Sequence, residues 1–361
     1  MVYSVRNNNP ISLILNGRVI GPSQPPFIIA EMSGNHNGDF NQALRLIEEA
    51  KKAGADAVKL QTYTADTLTI NHDGPDFIII EGPWKGYSLY QLYEWAHTPW
   101  EWHEALFAKG KELGLTVFSS PFDYTAVEFL ESLDCPAYKI ASFEAIDLAL
   151  INKAASTGKP LFISTGLASF EEIGEAVNAA REAGCNKLVL MHCVSAYPAP
   201  PEDYDIRVIP DLSHQYNVVT GISDHTTGIA VSIASIALGS AVIEKHFTLK
   251  RSDGGPDATF SLEPHELAAL CNDCRIAWES LGTINYSRKP SEAASVVFRR
   301  SLYVVEDMDL GDEFTGRNLR SIRPGYGLPP KHLNEILGRR ANQHIKRGTP
   351  LDWSMVATVK K

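Results

Sequence analysis

The sequence predicts a (β/α)8 barrel, and three observations carry that reading. Eight short apolar runs divide the first two-thirds of the 361-residue chain, helical patterns separate them, and each run ends in polar or titratable side chains. Strands of a parallel sheet covered by helices on both faces read as continuous apolar stretches, and in a closed barrel their C-terminal ends surround the active site. The runs span 27–31, 57–61, 116–120, 137–142, 160–165, 188–192, 218–225 and 241–246. Their endings make a draft of a catalytic ring: Glu31, Lys59, Gln61, Ser120, Lys139, Ser142, Glu144, Ser164, Tyr197, Asp224, His225 and His246.

The elements follow in order. An arm over 1–26 reads as a hairpin, with strands at 11–15 and 18–20 around Asn16-Gly17, a dipeptide suited to a tight turn. In the first helix, 41–53, Ala43, Leu46, Ile47 and Ala50 fall at helical spacing, and Gly54 is placed to stop it. The same unit of helix, glycine and apolar strand recurs at 101–113 before Gly114, 147–157 before Gly158, 169–183 before Gly184 and 229–238 before Gly239; a further helix spans 125–133. The interval 62–100 is too long for this unit and holds Trp84, Tyr87, Tyr90, Tyr93, Trp95 and Trp100. A loop of that length after a barrel strand is expected to overhang the site as a lid or specificity insert, or else to pack over the barrel top or form a dimer contact. The alternation ends at Gly282, so the expected domains are a barrel with its hairpin over 1–282, a linker over 283–298 and a small β-rich domain over 299–361. Strand-like pieces at 301–305, 319–322 and 343–345 mark that domain.

Composition narrows the function classes. A hydrophobic fraction of 44% with 21% charge fits a chain with a sizeable core. The net charge of -10 speaks against a non-specific nucleic-acid binder, which needs a clustered positive surface. No apolar stretch is long enough for a membrane helix, and residues 1–10 lack the apolar core of a signal peptide, so no membrane partner and a cytoplasmic location are expected. Cys135, Cys185, Cys193, Cys271 and Cys274 are odd in number and scattered, which suits a reducing compartment. Cys271 and Cys274 form a C-x-x-C pair in a helical stretch without a second ligand pair, and read as packed thiols more readily than as a zinc site.

His225 and His246 end the seventh and eighth runs, so adjacent strand ends would bring both imidazoles to one divalent ion such as Mn, Mg, Co or Zn, with open positions for a substrate oxygen. Two satisfied core histidines are the alternative. Lys59 and Lys139, flanked by Ser120, Ser142 and Ser164, suit a small phosphorylated carboxylate; a barrel lysine can instead form an imine, which a metal would make redundant. Glu31 and Glu144 are candidates for proton transfer or substrate contact, or alternatively ion-pair partners of the lysines. Asp224 could orient an imidazole or cap a helix. No nucleotide-binding glycine motif stands in the required context.

Several motifs resemble the sialic acid synthase family, in order and over nearly the whole chain: Ile29-Ala30-Glu31-Met32 with Asn35-His36-Asn37-Gly38, Lys59-Leu60-Gln61-Thr62, Lys139-Ile140-Ala141-Ser142-Phe143-Glu144, Ser164-Thr165-Gly166, Ser223-Asp224-His225-Thr226, Glu244-Lys245-His246-Phe247 and Gly255-Pro256-Asp257. The tail, with Ile322-Arg323-Pro324-Gly325-Tyr326-Gly327, is similar to that family's C-terminal SAF, or antifreeze-like, domain. Gly82-Pro83-Trp84-Lys85-Gly86, the tract 95–102 and Phe260-Ser261-Leu262-Glu263-Pro264-His265-Glu266 resemble the pseudaminic acid branch. Met191-His192-Cys193 is similar instead to the N-acetylneuraminate and legionaminate branches, and Ser195 stands where family members commonly carry Asn.

The resemblance implies condensation of phosphoenolpyruvate with an open-chain acylamino sugar, in that branch 2,4-diacetamido-2,4,6-trideoxy-L-altrose, to a nine-carbon 2-keto acid and phosphate. It implies Glu31, Glu144, Lys59 and Lys139 as the catalytic set, with Lys59, Lys139, Ser120, Ser142, Ser164 and Ser195 on phosphoenolpyruvate. Glu31, Gln61, Tyr197 and Asp257 would lie on sugar hydroxyls, and His225 and His246 on a divalent Mn, Mg or Co ion. It further implies a domain-swapped homodimer in which Arg323 reaches an N-acyl group in the partner's barrel. The rival expectations are N-acetylneuraminate or legionaminate synthesis in the same centre, and a non-catalytic sugar-binding protein.

Overall fold

The structure is a computed structural model and describes residues 11–358. The reading of residues 1–10, including their lack of a signal-like core, lies outside the described residues. Strands β1 (Leu13–Leu15) and β2 (Arg18–Ile20) form the expected hairpin. Asn16 and Gly17 both take positive φ, 47° and 79°, the backbone that a two-residue hairpin turn requires. Leu13, Leu15 and Ile20 are buried in the same core as Phe27 and Ala57, which start two barrel strands.

Eight parallel strands then close a barrel: β3 (Phe27–Glu31), β4 (Ala57–Thr62), β5 (Thr116–Pro121), β6 (Tyr138–Ile140), β7 (Leu161–Ser164), β8 (Leu188–Cys193), β9 (Val219–Ser223) and β10 (Val242–His246). Each pairs with its neighbour in sequence, and β10 closes on β3 with Val242 opposite Phe27 and His246 opposite Glu31. The apolar runs extend beyond the strands in two informative places. The fourth run stops pairing at Ile140, and Ser142–Glu144 turns in a 3-10 helix that carries Glu144 sideways over the barrel end. The seventh run stops at Ser223, leaving Asp224 and His225 on the loop that follows.

The first outer helix shows how local sequence sets its bounds. Phe40–Ala53 is capped by the Asp39 carboxylate, which accepts from the backbone of Asn41 and Gln42, and it ends where Gly54 enters the left-handed region at φ 96°. Gln42, Ala43, Leu46, Ile47 and Ala50 form its buried face. The helix expected at 101–113 begins as a 3-10 turn, Trp100–Trp102, and becomes regular at His103–Leu113. Helix Val208–Tyr216 has no counterpart in the sequence reading, because Pro210 and the polar tract around it blur the apolar period.

The chain divides into two compact units, Met1–Gly282 and Thr283–Lys361. In the second, β11 (Ser301–Val304) and β12 (Leu319–Ile322) pair antiparallel over a core of Leu302, Val304, Met308, Phe314, Leu319, Ile336, Ile345 and Leu351. The stretch expected as a linker carries a 3-10 helix, Pro290–Phe298, and belongs to this second unit. Residues 343–345 make no strand: Met308 and Ile345 exchange one reciprocal pair of backbone bonds and the ladder goes no further. Helix Leu333–Ile336 is one turn long, too short to leave a period in the sequence.

Candidate active site

Strand alternation decides which side chains enter the barrel. Glu244 and His246 are two residues apart on β10 and face inward together, while Lys245 between them faces the helical layer. Four ionisable groups meet at the inner end. Glu244 Oε1 lies 2.7 Å from Lys59 Nζ and 3.5 Å from Lys139 Nζ, and accepts from Ser223 Oγ at 3.0 Å. Lys59 Nζ is also 3.4 Å from Glu31 Oε2, and Glu31 Oε1 accepts from Gln61 Nε2 at 2.7 Å. All four are almost wholly buried, so each charge depends on its partners.

The shifts follow from this crowding. Burial opposes the charge on Glu244, but Lys139 and Lys59 outweigh it and hold the carboxylate far below the usual range. Burial likewise opposes charge on Lys59, and Glu244 and Glu31 overcome it, holding the ammonium above its ordinary value. Lys139 is lowered, chiefly by burial, and Glu31 is raised, again chiefly by burial. One ion pair is therefore firm and the other poised, and an anion arriving between the lysines would secure the proton on Lys139.

Above this cluster opens a cavity of about 460 Å³, the size of a small-molecule site. Glu31, Lys59, Gln61, Lys139, Ser142, Glu144, Ser164, Tyr197, His225, His246 and Asp257 all line it. Ser120 and Ser195 stand behind this lining: Ser120 is buried on β5, and Ser195 shares a 2.7 Å hydrogen bond with Ser142. Arg323 belongs to the second unit. Several buried atoms of these residues accept or donate no hydrogen bond, namely Oε2 of Glu144 and Glu244 and Oγ of Ser164, while Oε2 of Glu31 and Nδ1 of His246 have only the longer contacts to Lys59 Nζ at 3.4 Å and Asp257 Oδ2 at 3.6 Å. Oγ of Ser120 is unpartnered as well. Buried polar atoms are nearly always satisfied, so this concentration marks the place of a polar ligand.

The two imidazoles lie side by side, ring centroids 5.6 Å apart. His225 Nδ1 pairs with the carbonyl of Val194 at 2.8 Å, which fixes the tautomer that leaves Nε2 as a lone-pair donor. Burial lowers the His225 pKa to about 4; for His246, burial and then neighbouring His225 push it well below its ordinary value. Neutral rings whose remaining nitrogens have only long contacts, His225 Nε2 to Ser223 Oγ at 3.5 Å and His246 Nδ1 to Asp257 Oδ2 at 3.6 Å, fit a divalent ion. Among the described residues no group of three or more His, Cys, Asp or Glu side chains could hold a metal ion, so an ion on these two rings would keep positions for water or substrate. Tyr197 covers the pair, its ring 4.4 Å from His225 and 6.1 Å from His246.

Asp224 neither hydrogen-bonds an imidazole nor caps a helix. Its carboxylate turns outward, accepts from the backbone and hydroxyl of Thr226 and from Ser232 in helix Ala230–Ile236, and lies 3.3 Å from Lys245 Nζ. This fully buried pair ties the ends of β9 and β10 behind the two histidines. Asp257 is brought in by the loop after β10, hydrogen-bonded by Ser33, and burial raises its pKa to about 6. His192 is absent from the lining; its Nε2 pairs with the Tyr204 carbonyl. The thiols behave as packed groups: all five are free, and burial pushes those of Cys271 and Cys274 up to about 12.

Glu244 was not among the residues singled out from sequence, although it is the hub. The signal was available: two residues before an inward-facing histidine on the same strand, a glutamate must face inward too.

The profile of the NeuB family matches residues 46–286, and that of the SAF domain matches residues 299–357. The chain belongs to the NeuB family. Among NeuB relatives, pseudaminic acid synthase of Campylobacter jejuni subsp. jejuni serotype O:2 is 44% identical over 325 residues, 90% of this chain and 95% of that protein. Pseudaminic acid synthase of Helicobacter pylori is 42% identical over 329 residues, 91% and 97% of the two chains. The crystal structure of N-acetylneuraminic acid (sialic acid) synthetase from Leptospira borgpetersenii serovar Hardjo-bovis superposes with a TM-score of 0.72 at 30% identity, covering 81% of this chain and 98% of that one.

The outward ion pair yields a stability test. Lys245→Met leaves the Asp224 carboxylate buried without its cation and is expected to cost about 3–5 kcal/mol in urea unfolding. Adding Asp224→Asn recovers much of the loss; a single-variant cost below about 1 kcal/mol would show that the pair does not hold these strand ends.

Proposed function

We propose that this NeuB-family chain is a pseudaminic acid synthase, condensing phosphoenolpyruvate with 2,4-diacetamido-2,4,6-trideoxy-L-altrose to give pseudaminic acid and phosphate. The observation that carries the reading is the pair of buried ammonium groups, Lys59 and Lys139, beside two neutral imidazoles in one cavity. The identity to two enzymes of that name supports the choice of sugar.

Phosphoenolpyruvate lies against Lys59 and Lys139, with Ser142 and Ser164 as hydroxyl partners and Ser120 and Ser195 supporting them from behind. A divalent Mn, Mg or Co ion, held by His225 and His246, supplies Lewis-acid polarisation of the sugar aldehyde when bound. Carbon 3 of the enol forms a bond to the aldehyde carbon, and Glu144 donates the proton that turns the aldehyde oxygen into a hydroxyl. Water adds at carbon 2, returning a proton to the Glu144 carboxylate, and the tetrahedral centre collapses to the ketone as its C–O bond to phosphate breaks and the departing phosphate takes the hydroxyl proton. Burial raises the Glu144 pKa to about 7, which keeps the acid form available near neutral pH. Glu31, Gln61, Tyr197 and Asp257 hold sugar hydroxyls. A non-catalytic sugar-binding protein would have no use for four buried charges arranged around unpartnered oxygens.

From the resemblance we also infer a domain-swapped homodimer, with Arg323 of one chain meeting an N-acyl group in the partner's barrel. The free thiols suit a reducing, cytoplasmic setting, and no helix among the described residues is long and apolar enough to cross a membrane.

Three measurements test these statements. Mass analysis of the product formed from phosphoenolpyruvate and the altrose derivative should show the nine-carbon acid; product from only the N-acetylneuraminate or legionaminate precursor would reassign the sugar. Glu144 acts first as an acid, so kcat/KM should fall as pH rises through about 7. Glu144→Gln should lower kcat and remove that inflection, and an unchanged profile would exclude the role. Mixing Arg323→Ala with His246→Ala chains should restore activity that neither possesses at low sugar concentration, because a hybrid dimer holds one intact site. No recovery after confirmed subunit exchange argues against the swap.

A further inference from the structure

The two imidazoles are held by different means. His246 lies within β10, paired opposite Glu31 of β3, so the sheet itself fixes its backbone. His225 stands beyond the end of β9 at Ser223, on a loop, and its backbone must be fixed by something else. A single stretch after β8, residues 194–204, meets it on every side. The His225 N–H donates to Tyr204 Oη at 2.9 Å, its carbonyl accepts from the Ala199 N–H at 3.0 Å, and its Nδ1 pairs with the Val194 carbonyl at 2.8 Å.

Tyr204 makes the central contact of that clamp. Besides accepting from His225, its hydroxyl donates to the Ser223 carbonyl at 2.6 Å, so one oxygen bridges the last residue of β9 and the histidine that follows the turn. The side chain is 1% exposed and packs in the same core as Ala199, Ile209 and Ile222. The Tyr204 carbonyl accepts from His192 Nε2 on β8, and the two rings meet edge-on with centroids 5.8 Å apart. The bridge is thereby anchored on β8 at one end and on the tip of β9 at the other. Tyr204 is outside the cavity lining, so any part it plays in the chemistry runs through His225.

Among the described residues no third His, Cys, Asp or Glu joins the two rings in a metal-holding group, so no further side chain can compensate for a displaced imidazole. The groups that orient metal ligands commonly matter about 10- to 100-fold in metal affinity when removed. A buried hydroxyl bonded to backbone on both sides suits that task, because losing it leaves a buried N–H unsatisfied at the ligand itself.

We infer that Tyr204 is a positioning residue for the divalent ion: its hydroxyl, bridging Ser223 and His225, holds the His225 main chain where the imidazole can share an ion with His246. The inference rests on the metal-dependent reading above, and one titration separates the two. Mn(II) alone is added, without substrates, to the wild-type chain, Tyr204→Phe, Tyr204→Met and His246→Ala. Electron paramagnetic resonance reads the free ion, and circular dichroism checks that each chain is folded. The wild type should bind Mn(II) and His246→Ala should lose it. Tyr204→Phe, which keeps the ring in the core, should bind about 10- to 100-fold more weakly, and Tyr204→Met likewise. In phosphate release from phosphoenolpyruvate and the altrose derivative, Tyr204→Phe should need correspondingly more Mn(II) for its half-maximal rate, with the KM for phosphoenolpyruvate unchanged once Mn(II) saturates. A folded Tyr204→Phe chain with wild-type affinity for Mn(II) overturns the positioning role and leaves the metal reading intact. Failure of both Tyr204 variants to fold overturns it too, because the residue would then support the fold at large. Binding that His246→Ala retains in full, or none by the wild type, removes the ion from these rings and this inference with it.

Discussion

Everything in the cavity is organised by one carboxylate held between two ammonium groups inside a closed barrel. Glu244 reaches Lys59 at 2.7 Å and Lys139 at 3.5 Å, where almost no solvent is present to screen or solvate them. A buried charge is tolerated only when its partners are close and well oriented, which makes the positions of β3, β4, β6 and β10 mutually dependent. The cluster is also incomplete, since the second oxygen of Glu244 and the hydroxyls of Ser120 and Ser164 lack hydrogen-bond partners. That shortfall is what a ligand can supply, so one interaction both fixes the barrel end and creates its affinity for an anion.

The same strand serves two layers because its side chains alternate. On β10, Glu244 and His246 face the cavity while Lys245 faces outward to Asp224. The outward pair joins β10 to the loop after β9, and Ser232 joins that loop to the outer helix. Placement of the two strand ends that carry the imidazoles is thereby set from behind by residues outside the cavity lining. His225 is held further by the Val194 carbonyl, which decides the nitrogen it presents.

The long segment between β4 and β5 supplies what the strand ends lack. Parallel strand ends converge polar groups but offer no lid, and a cavity lined only by charges would remain wet. The segment adds aliphatic and aromatic surface to the lining, anchored by indole hydrogen bonds to backbone carbonyls and by the packing of Trp84 on Tyr197. The apolar part of the lining and the organised charges thus come from different elements.

Much of this was legible from sequence. Apolar runs near the length of one strand, helices closed by Gly54 or Gly114, and polar residues at run endings specified the barrel and most of its cavity, because burial on both sheet faces and capping are local in sequence. The resemblance of motifs such as Lys139 to Glu144 added the chemistry. The hub role of Glu244, the outward turn of Asp224, the shelter of Ser120 and Ser195 behind the lining, and the apolar surface that the segment between β4 and β5 adds to it were decided by tertiary structure. Each depends on which atoms meet across the closed barrel, as with Lys59 and Glu244, 185 positions apart. Composition and period constrain what lies inside and outside an element; only closure of the sheet determines which buried charges face one another.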